Sequence, residues 1–474
     1  MSNIGDKLRG FREAANLTIE QMALFLPIPP DDLVAVEEGD TSPSLTLLKE
    51  YAQIAGVELN ALLTQPLLNT PPTLLFRSMP DRELSVEEIA NTGTHLILGE
   101  FLRASGRVLE LRTTLNRRAN LTWLEEDWAQ TAKPDALHDL SRPEALFEAA
   151  RFASGWLREA LSLGDAPISS MRELLQTLDV AVFFIDPDDL DRNIEGASTL
   201  SPTPSILTNL IGGAESWWRT RMTLAHELGH LLLDLPSQRA QGEAPLMLSP
   251  VVRPRSGTLP RPWQLLPAHE AIERRANAFA AYLLAPEEAI RELIGPNDPT
   301  TGDSIASTAK HFGLGRIAAI NVLTYAFGLS DQARYDMLHN TRTPPWSFEE
   351  RFAGDRQPIE VGLYGGDLQR LTLEALGAGH IDRVQARRVL NIPTTEPLPD
   401  ASTLTPSHTA PLRPHDDLVR RAVERAHPGL YGGDVSKGPG GWRVELLELD
   451  AQREPHPIGF ARVSFDLQVE SIER

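Results

Sequence analysis

The sequence predicts a multidomain chain, mainly α-helical with α+β parts. Three observations carry this expectation. Residues 1–65 break into short apolar segments at helical spacing. The middle of the chain holds two longer amphipathic helices downstream of strand-like runs. Residues 415–474 contain two alternating, strand-like segments. At 474 residues there is enough chain for two to four domains. The expected segments are 1–65, a linker and helical spacer at 66–144, a domain at 145–340, a helical segment at 341–390, a linker at 391–414 and a small domain at 415–474.

In the first segment Ile4, Leu8 and Phe11 share one helical face. Leu17 to Ala23, Leu33 to Gly39, Pro43 to Leu48 and Leu59 to Leu63 supply four more short helices. The pattern resembles the Xre/Cro helix-turn-helix family, which implies a helix after the turn that enters the major groove of DNA. The charge opposes that use. Four basic residues (Lys7, Arg9, Arg12, Lys49) face ten acidic ones, a net −6, and the recognition helix opens Pro29-Pro30-Asp31-Asp32. Carboxylates repel phosphates, and DNA affinity rests mainly on neutralised phosphates. Two partners stay open: DNA, bound as a dimer, or a protein docked on a retained fold, such as a related repressor.

Pro66 to Pro72 reads as a linker. A long helix is expected across Glu87–Arg118, as a spacer packed on the following domain.

The decisive motif lies in Thr223-Leu224-Ala225-His226-Glu227-Leu228-Gly229-His230-Leu231-Leu232-Leu233. Histidines four apart share a helix face, so both imidazoles can grip one ion. Glu227 follows the first, in the His-Glu-x-x-His arrangement of zinc peptidases. Zinc takes a third protein ligand and leaves a fourth position for water, whose pKa it lowers. Glu227 is then expected to take the water proton and pass it to the leaving amine. The apolar flanks mark a core helix, and buried imidazoles and a carboxylate need partners.

A second helix, Pro267 to Ala285, places Ile272, Ala276, Phe279, Ala280 and Leu283 at helical spacing and ends at Pro286. Glu273 and Asn277 share one of its faces, and Glu270 lies a turn earlier. Together these stretches resemble the ImmA/IrrE-type metallopeptidases. The resemblance rests on Arg219 to His230 and Glu273-Arg274-Arg275-Ala276-Asn277-Ala278-Phe279-Ala280. It implies a zincin-like α+β domain in which the glutamate before Ala-Asn, Glu273, is the third zinc ligand. Glu270 remains the alternative ligand, and His269 reads as a rim residue. Tyr282 is a candidate for stabilising the transition state, against the plainer role of a packed core tyrosine. A His₂Glu set also admits Mn²⁺ or Fe²⁺.

The resemblance extends over residues 145–340. It implies opening helices and a first strand across Leu157–Ile168 and Leu174–Phe184, a strand at Ser205–Asn209 bordering the substrate cleft, and a closing helix-turn-helix-like segment at Ile305–Leu314 with a structural His311. Pro236 to Pro267 is a proline-laden insertion, expected as an irregular loop that either lids the cleft or lies on the surface.

Leu371–Leu376 and Val384–Leu390 read as a helix pair, 391–414 as a Pro/Thr/Ser linker, and Trp442–Leu449 and Ile458–Phe465 as strands of a small α+β domain. Its glycines lack the Lys-Ser/Thr of a phosphate loop.

The net charge of −20 argues against nonspecific attraction to nucleic acid or anionic membranes. The absence of cysteine excludes disulfides and thiolate-bound zinc. No apolar run is long enough to span a bilayer, and the start lacks a signal-peptide pattern, so a cytoplasmic location is expected. The sequence thus leads to a regulatory zinc endopeptidase. The family resemblance implies that its substrate is a helix-turn-helix repressor, whose cleavage switches on stress-response or mobile-element genes. The other reading is a DNA- or protein-binding regulator, antitoxin-like, with a non-catalytic zinc domain; an intact Glu227 favours the enzyme.

Overall fold

The computed structural model describes residues 4–14, 18–26, 28–54, 59–64, 94–117, 143–190, 194–211, 216–235, 246–250, 268–357, 359–399, 423, 427, 430–438, 441–449, 455–464 and 469–473. They form a mainly helical chain with two four-stranded sheets.

Five short helices lead: α1 (Ile4–Ala14), α2 (Ile19–Phe25), α3 (Pro30–Glu38), α4 (Leu45–Ile54) and α5 (Leu59–Thr64). Thr18 and Gln21 start α2 with a reciprocal capping box. Pro30 sits at the first turn of α3, where its missing N–H costs nothing, and Gly39 stops that helix at φ 83°. Three of the four cations turn inward. Arg12 makes a bidentate pair with the buried Glu37 carboxylate, with Nη2 to Oε2 at 2.8 Å. Arg9 Nη2 donates to the Glu37 carbonyl at 3.0 Å. Lys7 Nζ donates to the Leu63 carbonyl at 3.0 Å, in the last turn of α5. Lys49 is exposed, as are Asp31, Asp32, Glu38 and Asp40.

The spacer helix α6 is Thr94–Thr114. It ends before the expected Arg118 because Asn116 turns left-handed at φ 55° and Arg117 N–H closes on the Arg112 carbonyl. Residues 65–93, with the expected linker and helix start, lie outside the described residues. Helices α7 (Pro143–Ala160) and α8 (Met171–Thr177) precede the first sheet: β1 (Ala181–Ile185), β2 (Ile194–Thr199), β3 (Ser205–Asn209) and β4 (Leu246–Pro250), in spatial order β1-β3-β2-β4. Strand β3 runs parallel to β1 and antiparallel to β2. It is therefore an inner strand, flanked by β1 and β2. The proline-laden insertion is not wholly irregular, since β4 lies within it and pairs antiparallel with β2. The rest of that insertion lies outside the described residues.

The alternation of strand side chains builds two cores. Val182, Phe184 and Ile206 pack with α7, α8, α9 (Trp217–Leu233), α10 (Ala268–Leu284), α11 (Glu287–Ile294), α12 (Gly302–Phe312) and α13 (Arg316–Phe327). Ala181, Phe183, Ile194, Ala197 and Leu207 face the other way, onto α6 and α15 (Gly366–Gly377). Phe101 of α6 meets Phe183 edge-on at 5.6 Å. Ser105 Oγ donates to the Thr203 carbonyl, and Arg112 to Thr203 Oγ1. This second core runs on without a break into α1–α5, so the amino-terminal helices are anchored through α6 to the back of the sheet.

Beyond α14 (Asp331–His339), the described residues of 341–365 carry a 3-10 turn at Glu350–Phe352 and a lone bridge from Gly362 to Phe184, and helix resumes in α15 and α16 (Arg383–Val389). The helical segment expected at 341–390 is thus confined to its second half. Asp355 anchors the irregular stretch. It accepts from Ser170 Oγ at 2.8 Å and Met171 N–H at 3.0 Å, capping α8, and from the buried Arg221 of α9 at 2.6 Å. Residues 391–399 have no helix or strand. The second sheet is an antiparallel meander of β5 (Tyr431–Gly438), β6 (Gly441–Leu449), β7 (Pro455–Ser464) and β8 (Val469–Glu473). Among the described residues no helix is long and apolar enough to cross a membrane.

Candidate metal centre

Two packed helices make the site. Helix α9 carries His226, Glu227 and His230, and α10 carries Glu273. They approach closely because position 229 is glycine. A Cβ there would stand 2.9 Å from the Phe279 ring and 3.4 Å from Ala276 Cα. Glycine costs a helix interior about 1 kcal/mol relative to alanine, a penalty offset by the close crossing.

The Nε2 atoms of His226 and His230 lie 2.9 Å apart. Glu273 Oε2 is 3.2 Å from the first, and Oε1 3.5 Å from the second. Among the described residues these three form the cluster able to hold a metal ion. The outer ring nitrogens fix how the imidazoles point. His226 Nδ1 is 3.3 Å from Asn277 Oδ1, and Asn277 Nδ2 donates to the Glu273 carbonyl, leaving its oxygen to accept. His230 Nδ1 donates to Asp234 Oδ2 at 2.7 Å. With both protons on Nδ1, two Nε2 lone pairs and a carboxylate converge on one point, an arrangement that a cation between them would satisfy. Tetrahedral ligands at roughly 2.0–2.1 Å from an ion stand about 3.3 Å from one another, so the donor set fits a metal of that size.

Asp234 is the hub behind His230. It caps α9, is buried, and pairs through Oδ1 with the buried Arg275 of α10. Burial pushes its carboxyl up, but the charge of Arg275 and the bond from His230 outweigh this and hold its pKa below the ordinary range. Burial likewise pulls the His230 pKa down. The charge of Glu273, the bond to Asp234, and the charges of Asp234 and Glu227 more than reverse this, raising it to about 9. A five-residue stretch of α10 therefore supplies a ligand (Glu273), a clamp (Arg275) and an orienting amide (Asn277).

Glu227 is fully buried on the sheet side of α9. Its carboxylate lies on β2, where a Cβ added to Gly196 would stand 2.6 Å from Oε1.

Not every expected residue comes to this centre. Tyr282 follows Glu273 by nine residues, which is half a rotation round α10 and about 13 Å along it. It is half-buried 6.2 Å from the Tyr325 ring, with its pKa raised to about 12 by burial and by the charge of Glu287. The transition-state role is corrected to the packed-tyrosine role. The backbone of Glu270 and His269 belongs to α10, but their side chains lie outside the described residues. His311 sits against Phe312 near the end of α12. Sequence reasoning missed Asp234, Arg275 and Gly196, and gave Asn277 no role. Asp234 had a signal, since it stands four residues after His230, and metal-bound histidines characteristically donate their other N–H to a carboxylate.

None of the family models, curated proteins or solved structures compared with this chain matches it.

Proposed function

We propose that the protein is a zinc-dependent endopeptidase with a regulatory role, its substrate a helix-turn-helix transcriptional repressor. The observation that carries this reading is the convergence of His226, His230 and Glu273 beside the buried Glu227 carboxylate. Zinc, when bound, supplies a Lewis acid for a peptide carbonyl and lowers the pKa of water; manganese or iron in the same donor set would do related work. His226, His230 and Glu273 would hold it. Glu227 Oε1 or Oε2 takes the proton of the attacking water and returns it to the amine of the cleaved bond. A purely structural metal site has no use for a carboxylate at that place. The substrate class rests on the resemblance of the motif segments to ImmA/IrrE-type metallopeptidases.

The amino-terminal helices serve this reading as a docking module. Lys7, Arg9 and Arg12 are spent on internal contacts, while Asp31, Asp32, Glu38 and Asp40 face outward. Such a surface repels phosphate and attracts a basic protein, as a DNA-binding repressor is.

The test uses the full chain, zinc-loaded, on a quenched fluorogenic peptide library. Cleavage by the wild type should fall by at least ~10²-fold in Glu227→Gln, with zinc content and Tm kept. Undiminished cleavage by that variant removes Glu227 from the chemistry. A zinc-loaded wild type that cleaves no peptide or protein turns the assignment towards a binding module.

A further inference from the structure

The strand beneath Glu227 has a glycine at the one place where a side chain would collide with the carboxylate. A Cβ on Gly196 would stand 2.6 Å from Glu227 Oε1, 3.0 Å from its Cδ and 3.0 Å from the Leu207 carbonyl. Gly196 does not sit in the left-handed region, so its backbone does not call for glycine. The space does. Across the ladder Gly196 pairs with Thr208. Antiparallel partners present their side chains on one face, with Cβ atoms about 4.5–5.5 Å apart. Thr208 is buried, and its Oγ1 has no hydrogen-bond partner among the described residues. A buried hydroxyl left unpaired costs roughly 1–3 kcal/mol, and the ladder places Thr208 across from the glycine on which the Glu227 carboxylate lies. Ser198, two residues along β2 on the same face, is likewise buried, and its hydroxyl has no hydrogen-bond partner among the described residues.

We infer that Gly196 and Thr208 are positioning residues for Glu227: the first leaves the slot that holds the carboxylate, and the second lines that slot with a hydroxyl donor. This rests on the peptidase reading for its kinetic consequence but not for its geometry. Two roles follow. The slot fixes where the carboxylate stands relative to the ligand cluster, and a misplacement near 1 Å costs an enzyme up to about 10²-fold. The hydroxyl, which makes no direct hydrogen bond to the carboxylate, limits the rotation of the carboxylate through one bridging water.

The experiment has two arms on the full chain. In the first, chelator-treated protein is unfolded thermally as wild type, Gly196→Ala, Glu227→Ala and the double variant. Gly196→Ala should lower Tm in the wild type and lower it clearly less where Glu227 is absent. An equal loss in both backgrounds overturns the slot, because the collision would then lie elsewhere, such as at Leu207. In the second arm, zinc-loaded protein is assayed on the fluorogenic library. Gly196→Ala should keep zinc and KM while kcat falls by about tenfold or more. Thr208→Val should lower kcat at unchanged KM, and Thr208→Ser should recover it. Wild-type kcat in Gly196→Ala overturns the positioning role, and wild-type kcat in Thr208→Val overturns the part assigned to Thr208. If the wild type cleaves nothing, the peptidase reading fails, and the unfolding arm still decides whether Gly196 makes the slot.

Discussion

Replacing Asp234 by Asn perturbs the metal centre without touching a ligand. The wild-type carboxylate serves two buried groups at once: Oδ2 accepts from His230 Nδ1 at 2.7 Å, and Oδ1 pairs with Arg275. The amide keeps one acceptor oxygen and offers an N–H₂ to the other side. If the oxygen stays with His230, the Arg275 guanidinium faces a donor and is left as an uncompensated buried charge. If it turns to Arg275, His230 loses its acceptor and its tautomer is no longer fixed. Breaking a buried ion pair from one side costs about 3–5 kcal/mol; one retained hydrogen bond puts this variant near the lower end. Loss of the orienting partner should weaken zinc binding by about 10- to 100-fold. Competition against a fluorescent zinc chelator measures the second quantity, and denaturant unfolding of chelated protein the first. A folded Asp234→Asn that binds zinc within about twofold of the wild type refutes the reasoning, because His230 would then be oriented by its helix alone.

Because His230 has a folded pKa near 9 against 6.5 unfolded, the metal-free protein gains stability from its proton fully below pH 6.5 and loses it as pH rises through 9. The loss is on the order of 3 kcal/mol, read by Tm across that window, and zinc-loaded protein should not follow it. Glu273→Ala should lose far more zinc affinity than Glu270→Ala in the chelator competition; the reverse order would transfer the third ligand to Glu270. Asp31→Lys with Asp32→Lys should slow cleavage of a basic repressor while leaving short-peptide hydrolysis unchanged. Whole-module deletion is the poorer test, since the module's core continues into α6. The isolated wild-type module surface predicts micromolar or weaker duplex binding at physiological salt, so nanomolar, sequence-specific binding by the full chain would reassign that surface to DNA.

The parts of the centre that were legible in sequence are those governed by helical phase. His226 and His230 are i and i+4 on one helix, and Glu227 follows directly, so their meeting needs no tertiary knowledge. Glu273 was reached through the resemblance, and its neighbourhood with Nε2 of both histidines depends on how α9 and α10 cross at Gly229. Tyr282 was chosen by residue type, whereas its phase, half a rotation from Glu273, already excluded it. Gly196 was not legible at all, because its significance is a contact between a strand and a helix remote in sequence. Strand β4 was hidden between Pro245 and Pro250. Proline is tolerated at the end of a strand, where Pro250 pairs with Ile194, so its presence marked the strand's limit and not its absence. The five amino-terminal helices were legible as apolar periods. The inward turn of Arg9 and Arg12 was not, because nothing local marks Glu37 as their buried partner.

The central claim is that two imidazoles and one carboxylate hold a single zinc beside Glu227. X-ray absorption at the zinc edge, on protein of measured metal content, tests it most directly. About one zinc per chain is expected, with two nitrogen ligands and oxygen at roughly 2.0–2.2 Å, lost in His230→Ala and kept in Glu227→Gln. Full zinc in His230→Ala, or a spectrum without imidazole scattering, would contradict it.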